Sequence, residues 1–190
     1  MVDFEADIKN CIAVLENGGT ILYPTDTVWG IGCNALDHIA ADRVFEIKQR
    51  PKNKSMIILL ADARDVLKYV ATPPPDIISI IESFETPTTI IYDGALELAD
   101  NIINKDGSIA IRVTNDPFCK ALIKRFRKPI VSTSANISGD PTPAIYNQIH
   151  TDILDMVDYI VKYRQDDEHP ATPSRLIKIT ADGGLHVLRG

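Results

Sequence analysis

The chain lacks both of the glycine-rich signatures that most often announce a nucleotide site. It contains no G-x-x-x-x-G-K-[ST] loop and no G-x-G-x-x-G turn. Cysteine is scarce: Cys11, Cys33 and Cys119 are odd in number and far apart, with no Cys-x-x-Cys pair. Neither a disulfide framework nor a zinc site is suggested. The four histidines, His38, His150, His169 and His186, are dispersed, and none falls in a metal-ligand spacing. The longest apolar run, residues 56–61, falls far short of the roughly 20 residues that cross a bilayer. A cationic excess is missing too. Lys and Arg number 20 against 26 Asp and Glu, a net charge of −6, which argues against a surface devoted to nucleic acid.

What remains is ordinary globular composition: 190 residues, 45% hydrophobic and 24% charged. This length favours one domain over residues 1–190, able to bury roughly 70% of its unfolded surface without a staple. Three reduced thiols and no signal-peptide pattern fit a cytoplasmic protein with no membrane segment.

Hydrophobic spacing organises the chain. Ile8, Ile12 and Leu15 mark a first helix, stopped by Gly18-Gly19. Ile21–Tyr23 is a short buried strand, and the hydroxyl-rich stretch 25–32 reads as a loop. Asp37 caps a helix carrying Ala40, Val44 and Ile47 on one face. Pro51 pushes Arg50 out of helical geometry, so the basic run 48–54 reads as a loop. A strand follows at 56–61, then short helices from Asp62 towards Val70 and at 76–83, separated by Pro73-Pro74-Pro75. Residues 88–92 and 108–113 are β-branched strands. Asp116-Pro117 opens a helix lined by Phe118, Leu122 and Phe126. Ile130-Val131 leads into the run 132–139, a helix is expected at about 144–155, and strands at 175–180 and 186–189 flank the Asp182-Gly183-Gly184 turn. The alternation predicts an α/β fold, a twisted mixed sheet covered by helices.

Two constellations carry chemistry. Lys48, Arg50, Lys52 and Lys54 place four cations within seven residues with no carboxylate among them. Guanidinium forks and mobile ammonium groups suit phosphate, although a solvated helix end explains the same charges. Ser132, Thr133, Ser134 and Asn136 offer uncharged hydrogen-bonding groups after a strand, fit either for a ligand's oxygens or for an ordinary Asx or Ser turn. Thr25-Asp26-Thr27 invites a nucleophile reading, but no histidine neighbours it in sequence. Trp29 reads as a core anchor or a site-lining ring. Cys33 and Cys119 read as small core residues.

Five segments resemble the YrdC family in order: 18–32 (GGTILYPTDTVWGIG), 48–51 (KQRP), 108–113 (SIAIRV), 129–139 (PIVSTSANISG) and 187–190 (VLRG). The family's K-x-R and S-x-N signatures stand here as Lys48/Arg50 and Ser134/Asn136. The resemblance implies a single-domain form, without the extra C-terminal domain of longer members, folded around a concave cationic cavity. It implies a synthase that turns ATP, L-threonine and bicarbonate into threonylcarbamoyl-AMP and pyrophosphate for a tRNA modification. Mg²⁺ would come with the nucleotide, no metal site of the protein's own is expected, and tRNA-modification proteins would receive the product. Lys48 and Arg50, taken as catalytic, would hold phosphates or the substrate carboxylate. Ser132, Ser134 and Asn136 would contact nucleotide and threonine oxygens, and Thr27 and Arg112 would seat the amino acid. Ser174 and Arg189 would line the nucleotide side. A carbamate attacking an α-phosphate needs positioning and cations more than a protein nucleophile, which agrees with the missing triad.

The chain departs from the family at Ser55-Met56, where Pro-Leu is common, and at 84–89 (FETPTT), where Trp-Pro-Gly-Pro-Leu-Thr is common. Both departures are expected to border the cavity. The alternative reading is a YciO-like RNA-binding or ribosome-associated module with weak affinity for tRNA or double-stranded RNA. A carbamoyl transferase with another acceptor is a third.

Overall fold

A computed structural model describes residues 4–51, 56–180 and 184–190. Lys52, Lys54, Ser55 and the Asp182-Gly183 part of the expected turn lie outside the described residues.

The first helix, α1 (Glu5–Glu16), buries Ile8, Cys11 and Leu15 along one side. It ends where Gly18 takes a φ of +74°, a left-handed angle that costs glycine nothing. α2 (His38–Ile47) starts as expected, with the Asp37 carboxylate accepting from the Ile39 and Ala40 amides. α3 (Val66–Tyr69), α4 (Ile77–Glu82), α5 (Pro117–Phe126) and α6 (Thr151–Met156) complete the helices, and the Asp116 side chain caps α5 at the Cys119 amide.

Nine strands of the described residues make one mixed sheet: β1 (Ile21–Tyr23), β2 (Gly30–Gly32), β3 (Ile57–Leu60), β4 (Thr88–Tyr92), β5 (Ile109–Val113), β6 (Ile130–Ser134), β7 (Tyr159–Ile160), β8 (Arg175–Ile179) and β9 (Leu185–Arg189). Their order is β7-β1-β2-β6-β3-β5-β4-β8-β9. The β1–β7, β3–β5 and β4–β8 pairs are parallel and the others antiparallel. α1 packs beside α5, and α2 beside α6.

Register decides what each face of this sheet carries, because paired residues point the same way and side chains alternate along a strand. Tyr23 pairs with Gly30, Gly30 with Ser134, Ile57 with Ser132 and Ala110, and Thr89 with Arg112. One face therefore presents Gly30, Gly32, Ser132, Ser134, Arg112 and Thr89. The other presents Leu22, Ile31, Val131, Ile58, Ile111, Ile90 and Ile177, all of them in the hydrophobic core. The first is the polar face and holds the site, although Ile21, Tyr23, Leu59 and Ile130 on it also join the core.

Three sequence expectations change. The stretch 25–32 is not all loop, since Gly30–Gly32 forms a strand between β1 and β6. Its glycines look like breakers, but they are required by contact: a Cβ on Gly32 would sit 2.5 Å from the Val131 carbonyl oxygen and 2.7 Å from the Tyr23 ring. Ser132, Thr133 and Ser134 belong to β6 itself rather than to a turn after it. The helix expected at 144–155 shrinks to a single 3-10 turn at Tyr146–Gln148 and α6, because Ile149 and His150 adopt extended angles between them.

Gly32→Ala is expected to cost about 2–4 kcal/mol in urea unfolding, since backbone on the neighbouring strand cannot yield as a side chain can. A loss below the measurement error would contradict the packing described for β2.

Candidate functional site

Two chambers open on the polar face of the sheet. The inner one, about 190 Å³, is lined by Thr27, Arg50, Arg112, Ser132, Ser134, Ser174 and Arg189, together with Trp29, Gly30, Met56, Ile57 and Thr142. Seven of the nine residues singled out from sequence thus meet in one small space, and three guanidinium groups make it cationic. The outer chamber, about 610 Å³, shares Thr27, Trp29, Pro173 and Ser174 with the inner one. Its other walls include Asp26, Thr86, Pro87, Arg164, Asp167 and His169. The two sequence departures do border the cavity: Met56 lines the inner chamber, and Thr86 and Pro87 line the outer one.

Lys48 and Asn136 stand behind the wall rather than on it. Lys48 ends α2 and is 1% exposed. Its Nζ donates to the Ser134 carbonyl, to the Asn136 carbonyl at 2.8 Å and to Asn136 Oδ1 at 3.4 Å. Its own carbonyl accepts from the Ser138 amide at 2.7 Å. Asn136 Nδ2 donates to the Ile137 and Asp140 carbonyls, which closes the turn after β6. The K-x-R and S-x-N signatures are therefore one joined structure. Burial, followed by the Arg50 guanidinium, presses the Lys48 pKa down to about 7. Burial likewise holds Arg50 below its ordinary value. A left-handed Gln49 (φ +49°) turns the chain at the end of α2, so that Arg50 faces the chamber.

Arg112 is 4% exposed and leans on Asp26, which the sequence offered only within a run weighed as a nucleophile. Asp26 Oδ1 lies 3.3 Å from Arg112 Nη2, and Asp26 Oδ2 accepts from the Thr114 hydroxyl and the Asn115 amide. Arg112 Nη2 also donates to Thr25 Oγ1 at 3.4 Å, while Nε has no partner among the described residues. The Thr25 hydroxyl is spent inside its loop, donating to the Val28 carbonyl and accepting from the Thr27 amide. The Thr-Asp-Thr run thus braces an arginine and a backbone turn, a role visible only once β5 lies beside it.

Ser174 is buried, with its hydroxyl 2.8 Å from that of Thr89. Arg189 Nε and Nη2 both donate to the Ser174 carbonyl, which ties β9 to the chamber wall. Trp29 is both anchor and lining: it is 6% exposed, its ring lies 4.9 Å from that of Tyr146, and it borders both chambers. The three thiols are buried and free, and burial raises the pKa of each, so none is poised as a nucleophile. His38 faces Asp42, His150 caps α6 and His169 pairs with Asp167. Sequence offered no signal for Arg164, Asp167 or the 170–173 wall. Among the described residues no three His, Cys, Asp or Glu side chains are grouped to hold a metal, and no helix is long and apolar enough to cross a membrane.

The Sua5/YciO/YrdC family model, described as "Telomere recombination", matches residues 13–190. A relative from Pseudoalteromonas translucida named threonylcarbamoyl-AMP synthase is 34% identical over 160 residues, covering 83% of this chain and 86% of its own. The P. abyssi Sua5 structure complexed with L-threonine superposes with a TM-score of 0.85 at 25% identity over all of this chain, which spans 55% of that protein's length. The E. coli YciO structure superposes at 0.82 and 24% identity over 97% of this chain and 88% of its own, a likeness of fold alone.

Because the folded pKa of Lys48 lies below the ordinary 10.5, the unfolded chain binds the extra proton between about pH 7 and that value. Stability should rise with pH across this window. Relative to Lys48→Met, the wild-type protein is expected to gain up to about 1.4 kcal/mol per pH unit from pH 7.5 to 9.5 in urea unfolding. Parallel profiles would contradict the burial of this ammonium.

Proposed function

Because the chain belongs to the Sua5/YciO/YrdC family, we propose that it is a threonylcarbamoyl-AMP synthase, consuming ATP, L-threonine and bicarbonate and releasing pyrophosphate. The observation that carries this reading is the inner chamber, where residues singled out by the family resemblance gather three guanidinium groups and three serine hydroxyls around 190 Å³.

In this reading Arg112, braced by Asp26, receives the threonine carboxylate, with Thr27 beside it, while Ser174 stands with Arg189 on the nucleotide side. Arg50 and Arg189, with Ser132 and Ser134, face the nucleotide phosphates. The threonine nitrogen bonds to the carbon of bicarbonate with loss of water. A carbamate oxygen then attacks the α-phosphorus as its bond to pyrophosphate breaks. Nothing in this sequence calls for a protein nucleophile. The protein's task is to hold two anions together against their repulsion and to meet the charge growing on pyrophosphate. Lys48 serves from behind, fixing the carbonyls of Ser134 and Asn136 so that the Ser134 hydroxyl keeps its place. Mg²⁺ enters with the nucleotide as part of the substrate. A product this reactive would pass to tRNA-modification proteins in the cytoplasm, a compartment in which three unpaired thiols persist.

A second reading, RNA binding, is favoured by a groove of about 520 Å³ between the end of β3 and the end of α5. Arg64, Lys124, Arg127 and Lys128 line it, and among the described residues no carboxylate pairs with any of them, although Asp62 and Asp65 share the wall. Retention on a double-stranded RNA column that falls steeply with salt and is lost in Lys124→Glu/Arg127→Glu would support this reading. Unchanged retention in that variant would remove it.

The synthase reading is tested by pyrophosphate release. Release from ATP is expected to require both L-threonine and bicarbonate, and Arg112→Gln is expected to lower it about 100-fold or more. Release that ignores threonine, or an Arg112→Gln variant with full activity, would overturn the assignment.

A further inference from the structure

Arg164 sits in a backbone conformation that its residue type avoids, with φ +65°. Glycine would take this angle freely; what the arginine adds is its side chain, and the contacts of that side chain are specific. The chain is forced into position just upstream. The buried Asp7 carboxylate accepts from the Tyr159 hydroxyl at 2.6 Å and from the amides of Lys162 and Tyr163. The Tyr163 ring then packs against Phe4 and Phe118, and the Arg164 guanidinium lies 5.0 Å above it.

From that base the guanidinium reaches two elements of the site. Nη2 meets Asp116 Oδ2 at 2.7 Å, a carboxylate only 4% exposed whose other oxygen caps α5. Nη1 meets the Thr25 carbonyl at 3.4 Å. Thr25 in turn holds both residues of the amino-acid side: its hydroxyl oxygen accepts from the Thr27 amide at 3.0 Å and from Arg112 Nη2 at 3.4 Å. The Cys119 thiol, one turn into the helix that Asp116 caps, donates to the Pro24 carbonyl and steadies the same loop. Arg164 is thus one contact from Thr25 and two from Thr27 and Arg112, although it lines only the outer chamber.

We propose that Arg164 is a positioning residue that sets Thr27 and Arg112 through Thr25, with Asp116 as its anchor. The inference rests on the reading that Thr27 and Arg112 seat threonine, and it adds a control on that half of the chamber alone. Arg50, Ser132, Ser134 and Arg189 belong to other strands and loops.

A plain structural ion pair at Asp116 would instead lower stability and weaken every ligand together. The distinguishing experiment compares wild-type protein with Arg164→Gln and Arg164→Lys. Amide hydrogen exchange in the segment 24–29 is expected to quicken in Arg164→Gln, with β3 and β6 unchanged. L-threonine binding, measured by calorimetry with threonine alone, should weaken about tenfold while ATP binding changes less than about twofold. Arg164→Lys should recover part of the threonine affinity. Unchanged exchange at 24–29, or equal weakening of both ligands, would overturn the proposal. If wild-type protein fails to bind threonine while exchange still responds to Arg164→Gln, the latch stands and the threonine reading falls.

Discussion

The amine of Lys48 has almost no access to water, and three oxygens from the end of β6 and the turn beyond it accept its hydrogen bonds. A buried amine without such partners would cost several kcal/mol, so the fold is committed to keeping them in reach. The consequence is geometric. Lys48 ends α2, and Arg50 follows two residues later, so whatever fixes Lys48 also fixes where Arg50 enters the chamber. The same contacts fix Ser134 from below. A buried amine that hydrogen-bonds the end of β6 to the end of α2 thereby brings a guanidinium and a row of hydroxyls to one cavity.

The sheet supplies the rest through alternation. On the polar face of β2, β5 and β6, Gly30, Arg112, Ser132 and Ser134 line the inner chamber. The positions between them are Ile31, Ile111 and Val131, sealed under the helices. A one-residue slip in any of these strands would bury Arg112 or Ser132 in the apolar core, so register and site are one constraint. At Gly32 the Val131 carbonyl and the Tyr23 ring occupy the space a side chain would need, and at Gly30 a Cβ would crowd the Ser132 hydroxyl at 3.2 Å.

Much of this was legible in the sequence, and the illegible part has physical causes. Helix starts at Asp37 and Asp116 and the stop at Gly18 follow from local capping chemistry, and they stand where local chemistry puts them. The strand at Gly30–Gly32 could not be read locally, because its glycines answer to Tyr23 and Val131, neighbours set by sheet order. The signature residues could be named from order and resemblance, but not their division of labour. Nothing in Lys-x-Arg says that the lysine turns inward and the arginine outward; the left-handed Gln49 between them decides it. Asp26 and Arg164 stayed hidden for a similar reason. Each acts through partners, Arg112 and Asp116, that are 86 and 48 positions away in the chain.

The proposal at the centre of this account is that two anions, a carbamate and a nucleotide triphosphate, are held among Arg50, Arg112 and Arg189 until one displaces pyrophosphate from the other. The most direct measurement follows the carbon. With ATP, L-threonine and ¹³C-bicarbonate, mass spectrometry of the products should show threonylcarbamoyl-AMP with the label in its carbamoyl carbon. AMP and pyrophosphate formed without a labelled adenylate, or an adenylate joined directly to the threonine carboxylate, would contradict the account.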